Sequence, residues 1–514
     1  MLSLTALVRR AARVNRDGVA TEFGDRRRTW VQQMDDIARL AGGLQASGIR
    51  VGDRVALLAF NGDRFYSSYF AIAWAGGVIV PVNFRLTTEE MVSQLNDAEP
   101  VALLVDSNFA DRIATLRAQV PSLRTVVQID GARDKQSADF HFDELLAHAP
   151  IADAGRCDDD LAALYYTGGT TGRAKGVMLS HRNLVQNSLQ NLAALRYRQG
   201  DGVLHVAPLF HIGCTANMLN FTHIAGRHYF LPAFDVAQVL DLLARHRIER
   251  TFLVPTMINM VLNHPDVAAF DLSALRTIVY GASPMPEAVI ERARALWPHV
   301  QFVQAYGQTE ASPCVTLLLN DQHEHHLRSA GQPMMGVELE IHDGDDRALP
   351  PYQSGEICAR GPNVMQGYWR NDEATAETLR GGWLHTGDVG YFDDEGYLYV
   401  VDRVKDMIVS GGENVYSTEV ESALYRHPAV LECAVIGIPC GQWGESVHAI
   451  VRLRADCTVT ELALQEHCKA LIAGYKCPRS IEWRSEPLPL TAAGKILKRD
   501  LRAPYWAQQA KQVS

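Results

Sequence analysis

Short β-branched runs alternate with stretches of helical periodicity from the start of the chain to about residue 400. The pattern predicts strands over 55–59, 102–105, 125–129, 161–166, 202–207, 227–230, 251–254 and 277–280. Helical segments lie between or after many of them, for example at 236–246 and 286–297. Such alternation predicts an α/β fold built on largely parallel sheets. The most apolar stretch, 69–82, is interrupted by Gly76-Gly77 and Pro81. It falls short of the roughly 20 residues that cross a bilayer and reads as a buried helix running into a strand.

The pattern changes near residue 400. Residues 385–403 read as short strands and turns, with a hairpin turn at Asp394-Glu395-Gly396. After Asp402-Arg403-Val404-Lys405-Asp406 a fresh α+β pattern begins. It predicts a helix over 417–425, strands over 430–438 and 448–453, and a helix over 460–471. A chain of 514 residues exceeds one ordinary core, and the roughly 110 residues after the change are enough for a small domain. The expected architecture is therefore a large multi-sheet N-terminal α/β domain, 1–402, followed by a small α+β C-terminal domain, 406–514. No low-complexity tract or solenoid-type repeat interrupts it.

Composition narrows the class without naming a chemistry. Hydrophobic residues make up 47% and charged residues 21%, as in soluble globular proteins. The net charge of −10 is modest and no basic domain stands out, so a nucleic-acid partner is not expected. Nine scattered cysteines, never spaced CxxC, suit reduced thiols better than a disulfide framework or a zinc site. His323-Glu324-His325-His326 lacks HExxH spacing and follows Asn320-Asp321, which predicts a solvated loop. Arg9, Arg10, Arg13 and Arg16 stand where a secretory signal needs its apolar core, so a cytoplasmic location is expected.

The run Thr167-Gly168-Gly169-Thr170-Thr171-Gly172-Arg173-Ala174-Lys175-Gly176 follows a predicted buried strand. Its four glycines let the backbone turn tightly and aim N–H groups inward, making an anion-binding concavity. Threonine hydroxyls add donors and Lys175 adds charge. By composition alone it could be an ordinary glycine-rich connection. It is not a Walker loop, because Lys175 follows Ala174 and precedes Gly176, so GxxxxGK[ST] fails.

This loop resembles the phosphate-binding signature of the adenylate-forming superfamily: acyl-CoA synthetases, peptide-synthetase adenylation domains and luciferases. Gly168 replaces a common serine and Ala174 a common proline. The resemblance covers essentially the whole chain, with its motifs in the family's order. Gly281-Ala282-Ser283-Pro284 matches the loop lying against adenine. In Ala305-Tyr306-Gly307-Gln308-Thr309-Glu310, the resemblance places Tyr306 on adenine, Thr309 at the α-phosphate and Glu310 on Mg²⁺. A hard cation of that kind takes oxygen ligands. Thr386-Gly387-Asp388 matches the ribose site, and Arg403 a second ribose or phosphate contact. Read alone, Asp388 could be a turn-capping residue and Arg403 a surface ion pair.

Resemblance likewise implies a hinge at 403–405 centred on Lys405, making the small domain a mobile lid. It makes Ser410-Gly411-Gly412 the loop that accompanies CoA into the site, and Lys495 the adenylation lysine. Catalysis is then expected of Lys495, Thr170 and Glu310, with charge compensation dominating the barrier. His211 stands where amino-acid-activating relatives carry aspartate, which disfavours amino-acid substrates. Ile212, Gly213, Cys214, Asn217, Tyr280, Gly281 and Ala305 are expected to line the acyl pocket.

The implied activity is an AMP-forming carboxylic acid:CoA ligase using ATP, Mg²⁺ and coenzyme A. A medium- or long-chain fatty acid and a hydroxycinnamate-like aryl acid both fit the pocket. The alternatives are an enzyme loading a carrier protein or other acceptor, and a catalytically dead nucleotide binder. Intact Lys175, Glu310, Asp388 and Lys495 argue against the last. The oligomeric state is open, a dimer being one form to test.

Overall fold

The computed structural model describes residues 1–132, 137–167, 174–403, 406–410, 413–490 and 496–510, the side chains as far as 507. Two large sheets dominate the N-terminal domain. One runs, edge to edge, Gly367–Tyr368, Lys175–Ser180, Leu161–Thr167, Val78–Pro81, Arg54–Leu58, Ala102–Val105, Thr125–Gln128, Phe140–His141. The other runs Gln332–Pro333, Cys314–Leu318, Gln301–Gly307, Thr277–Gly281, Arg250–Leu253, Gly202–His205, Arg227–Phe230, Val19–Phe23, Arg26–Thr29. The inner strands of both pair in parallel and the outermost pairs of the second sheet are antiparallel. Parallel strands covered on both faces must be apolar almost throughout; Val78–Pro81 and Ala102–Val105 are buried at every position.

Helices between the sheets tie them into one core. Trp30–Ala46 starts at a capping box in which the Thr29 and Gln32 side chains satisfy each other's backbone N–H groups. Ser180 and Asn183 do the same for His181–Leu195. The helices Leu4–Val14, Trp30–Ala46, Asp63–Trp74 and Ile212–His223 bury Leu7, Ile37, Phe70 and Met218 in a single apolar cluster that reaches both sheets. The apolar stretch 69–82 is the end of Asp63–Trp74 running into Val78–Pro81. Among the described residues no helix is long and apolar enough to cross a membrane, and none of the nine cysteines is in a disulfide.

A third sheet departs from the expected parallel pattern. Glu338–His342, Gly355–Arg360, Leu384–Phe392 and Leu398–Arg403 are antiparallel throughout. The last two strands form the hairpin expected at Asp394-Glu395-Gly396. Asp393 Oδ1 accepts from the Glu395 and Tyr397 N–H groups, and Gly396 has a φ of 78°, a turn conformation that favours glycine.

The small C-terminal domain has its own sheet. Its order is Glu413–Val415, Ile408–Ser410, Gly444–Leu453, Val430–Cys440, with Ser480–Arg484 parallel to Gly444–Leu453. Helices Ser417–Tyr425 and Glu461–Lys469 cover it over a separate cluster that includes Val420, Val435, Ala449 and Leu464.

Candidate active site

Leu161–Thr167 and Lys175–Ser180 are antiparallel neighbours, with Thr167 opposite Lys175. The two described ends of the glycine-rich run, Thr167 and Lys175, thus lie side by side on neighbouring strands. A helix, His181–Leu195, begins only after the second strand, unlike a strand–loop–helix phosphate site. Gly168, Gly169, Thr170, Thr171 and Gly172 lie outside the described residues. The Lys175 ammonium stands 4.8 Å from the centre of the Tyr368 ring, and the Tyr368 hydroxyl donates to Glu310 Oε1 at 2.8 Å.

Glu310 sits in the short 3₁₀ turn Thr309–Ala311 and is buried. Burial pushes its carboxyl pKa up, while its own backbone N–H and the Tyr368 hydroxyl oppose that rise. The turn is held from outside: Asn363 Nδ2 donates to the Ala311 and Cys314 carbonyls, and Asn187 Nδ2 to that of Cys314. A desolvated carboxylate beside Lys175 is an oxygen ligand suited to Mg²⁺ bridging phosphates.

Glycine is required where the loop Gly281-Ala282-Ser283-Pro284 starts. Gly281 pairs with Ala305, and a Cβ there would lie 2.1 Å from the Ala305 carbonyl oxygen. Ala282 then turns with a φ of 69°, and Ala282 and Ser283 line the cleft with Ala305, Gly307 and Thr309. The Tyr306 hydroxyl donates to Asp388 Oδ2 at 2.8 Å, and Arg403 Nε lies 3.1 Å from Asp388 Oδ1. Asp388 and Arg403 are register partners across the hairpin. Three separate motifs are joined through one carboxylate.

The cleft has a volume of about 2450 Å³ and continues from Thr167, Lys175 and Glu310 to His211, Ile212, Gly213, Cys214 and Asn217. The segment before His211 is pinned by Asn61, whose Oδ1 accepts from Leu209 N at 2.8 Å while Nδ2 faces the Ala207 and Leu231 carbonyls. Asn191, Asn217 and Asn220 also line this end. Asn220 Oδ1 is buried without a hydrogen-bond partner among the described residues.

Two expectations fail together here. Tyr280 is fully buried and its hydroxyl is bonded to His323 Nε2 at 2.8 Å, so its side chain is part of the core and not of the acyl wall. His323 accordingly is not in a solvated loop: it is 1% exposed, and its Nδ1 reaches the Leu319 carbonyl. Gly281, also expected on that wall, is buried against Ala305.

In the small domain, Ser410 is buried on its strand and its Oγ has no partner among the described residues. Lys405, Gly411, Gly412 and Lys495 lie outside the described residues. The structure adds groups that the motifs did not indicate. Lys498 is half-buried, 2.6 Å from Glu421 and 2.7 Å from Ser417 Oγ, while Asp402 accepts from both Ser417 N and Oγ. Glu287 in the large domain pairs with Arg328 and with Arg426 of the small one. Tyr368 follows a strand glycine in an aromatic pair with Trp369, a signal visible in the sequence only as the dipeptide.

This arrangement of nucleotide-binding loops on a two-domain α/β frame defines an adenylate-forming enzyme. The chain matches the AMP-binding enzyme family over residues 8–369 and the AMP-binding enzyme C-terminal domain over 419–495. It belongs to that family, within the superfamily of adenylate-forming acyl-CoA synthetases. It is 38% identical over 497 residues to a feruloyl-CoA synthase of Amycolatopsis sp, covering 96% of this chain and 98% of that protein. It is 35% identical over 488 residues to a long-chain-fatty-acid–CoA ligase of Escherichia coli O6:H1, covering 89% and 86%. The anthranilate CoA ligase AuaEII, solved with anthranoyl-AMP, superimposes with a TM-score of 0.90 at 27% identity, covering 98% and 97%. Members of this family that are acyl-CoA ligases use ATP, Mg²⁺ and CoA.

Proposed function

We propose that the protein is an ATP-dependent carboxylic acid:CoA ligase that forms an acyl-adenylate and releases AMP and diphosphate. The observation that carries this reading is the single cleft shared by Asp388–Tyr306–Arg403, by Glu310–Tyr368–Lys175 and by the helix Ile212–His223. Asp388 is placed to accept from ribose hydroxyls while Tyr306 covers the base. Lys175 offsets phosphate charge. Mg²⁺ held at Glu310 would neutralise the phosphate oxygens that carry charge in the adenylation step.

Attack of one anion on another needs positive charge at the α-phosphate, and we assign Lys495 and Thr170 to that task. The residues 403–405, with Lys405, act as the hinge between 1–402 and 406–514. Rotation there carries Ser410, Gly411 and Gly412 toward the acyl-adenylate, where glycine leaves room for a slender thiol arm. We place the enzyme in the cytoplasm, with oligomerisation to be measured.

The acyl end favours an aryl acid with a hydrogen-bonding substituent over a plain fatty chain. Asn217 and Asn220 share one face of their helix, one turn apart, and the Asn220 carbonyl oxygen is buried without a partner among the described residues. An alkyl chain would leave that group unpaired, and a site built around such a group discriminates strongly against ligands lacking the partner. Acid-dependent exchange of labelled diphosphate into ATP tests this. Hydroxylated or methoxylated aryl acids should outrun octanoate and palmitate, and Asn220→Leu should narrow the gap. Faster exchange with the fatty acids would reverse the substrate assignment while leaving the ligase chemistry standing.

A further inference from the structure

The third sheet holds a side-chain cluster that the ligase reaction does not use. Glu340, Cys358 and His385 form one cross-strand row, since Cys358 pairs with both of the others. His342, two residues beyond Glu340, faces the same side because side chains alternate along a strand. His342, Cys358 and His385 are 4%, 0% and 7% exposed. One ligand atom from each lies within 4.8 Å of the other two. Cys358 Sγ is 3.4 Å from His385 Nδ1, close to the about 3.3–3.8 Å that separates neighbouring ligands around a tetrahedral zinc.

The outer atoms are arranged as a metal site requires. His342 Nε2 is 2.8 Å from Glu340 Oε2, and its Nδ1 is buried with no partner among the described residues. Holding one ring nitrogen on a carboxylate fixes the tautomer and leaves the other as a basic lone pair. His385 Nε2 faces Asp346 Oδ1 at 3.9 Å, beyond hydrogen-bond reach. Glu356 Oε2 lies 2.9 Å from His385 Nδ1, a hydrogen bond that an ion would replace. Around the trio stand three carboxylates, Glu340, Asp346 and Glu356, against one guanidinium, Arg380, which pairs with two of them. The excess is negative, as a dication needs. Glu356, Arg380 and His385 also line the large cleft, which gives an ion a path inward.

We propose that His342, Cys358 and His385 bind a transition-metal ion of the Zn²⁺ class, separate from the Mg²⁺ that accompanies ATP. A sulfur ligand with two imidazoles selects zinc and its softer neighbours and not a hard oxygen-seeking cation. Burial pushes the Cys358 thiol up to about 12, so the metal-free site is neutral at sulfur and ion binding releases its proton. The strand Leu384–Phe392 carries both His385 and Asp388, and Glu356 Oε1 accepts from Gly387 N at 2.9 Å. An ion here would pin the strand that presents the ribose carboxylate.

The test uses the full chain, stripped with a chelator and titrated with Co²⁺ in excess Mg²⁺. The expected result is one equivalent bound, with a thiolate-to-cobalt charge-transfer band and tetrahedral d–d bands, all displaced by Zn²⁺. Cys358→Ser and His342→Gln should lose the band, and Glu340→Gln should weaken Co²⁺ binding about 10–100-fold. Absence of the band at stoichiometric Co²⁺, or its persistence in Cys358→Ser, overturns the proposal. Should Cys358→Ser fail to fold, as circular dichroism would show, His342→Gln decides. Wild-type Co²⁺ affinity in that variant overturns the site, and loss of tenfold or more supports it.

Discussion

The half of the cleft proposed to hold the nucleotide and the contacts between the two domains are built from different materials. In the large domain, Tyr306, Asp388 and Arg403 are locked through one carboxylate, and Glu310 is locked through Tyr368. Asp388, Glu310 and Tyr368 are buried, Tyr306 is half-buried and the Arg403 side chain is 44% exposed; a hydrogen bond to a buried carboxylate is costly to leave unmade. Apart from the buried bonds from Ser417 N and Oγ to Asp402, the contacts between the domains include polar, partly wet ones: Arg426 with Glu287, Arg454 with Asn263 at 2.8 Å, Asn259 with the Leu431 carbonyl at 3.4 Å. Arg426 is 38% exposed, and pairs of that kind contribute about 0–1 kcal/mol. The comparison teaches a division of labour. Under the proposed function, ATP would meet a site assembled in advance, and the polar pairs between the domains are ones that could be exchanged between half-reactions.

The largest expected effects separate the two regions outright. Lys495→Ala should cut adenylate formation by about 10²–10³ yet spare conversion of supplied acyl-AMP to thioester. Gly412→Trp should do the reverse, sparing diphosphate exchange. Equal loss of both half-reactions in either variant would break the division. Next comes the prebuilt site itself: Asp388→Ala should raise the KM for ATP roughly 10–100-fold, the loss of one or two charged hydrogen bonds, with the KM for the acid little changed.

Tyr368→Phe should weaken Mg²⁺ dependence about tenfold. Its pH signature is specific. Only ionised Glu310 binds a cation, burial already raises its pKa, and the Tyr368 hydroxyl opposes that rise. Activity should therefore fall as pH drops, and the variant's acid limb should move to higher pH. A limb moved to lower pH would contradict the assignment. The smallest effect belongs to the interface. Arg426→Ala should change the melting temperature by no more than a few degrees and either half-reaction by less than a few-fold, since Arg328 still holds Glu287.

Legibility in the sequence follows the range of the interaction. The strands over 102–105 and 227–230 and the helix over 417–425 are readable residue by residue, because local periodicity decides them. The loops at 281–284, 305–310 and 386–388 are readable as motifs. Side-chain direction is not. Sequence alone puts Tyr280 on the acyl wall and His323 in solvent, although the two are bonded to each other across 43 residues of chain. Asn61, Asn187 and Asn363 hold the site loops through carbonyls 49–170 residues away, and no local pattern marks them. The antiparallel sheet over 338–403 is only partly legible: Asp394-Glu395-Gly396 marks a short hairpin, whereas Asp343-Gly344 opens a longer connection between Glu338–His342 and Gly355–Arg360. Residues 168–173 and 491–495, which hold most of the expected phosphate loop and the lysine proposed for adenylation, lie outside the described residues.

The central claim is that this cleft activates an acid as its adenylate and hands it to CoA. It is tested most directly by following AMP, diphosphate and thioester together with ATP, Mg²⁺, CoA and a panel of aryl and fatty acids. The prediction is equal amounts of all three products for at least one acid, with AMP release dependent on both acid and CoA. ADP in place of AMP, or AMP and diphosphate without thioester for every acid in the panel, would contradict it.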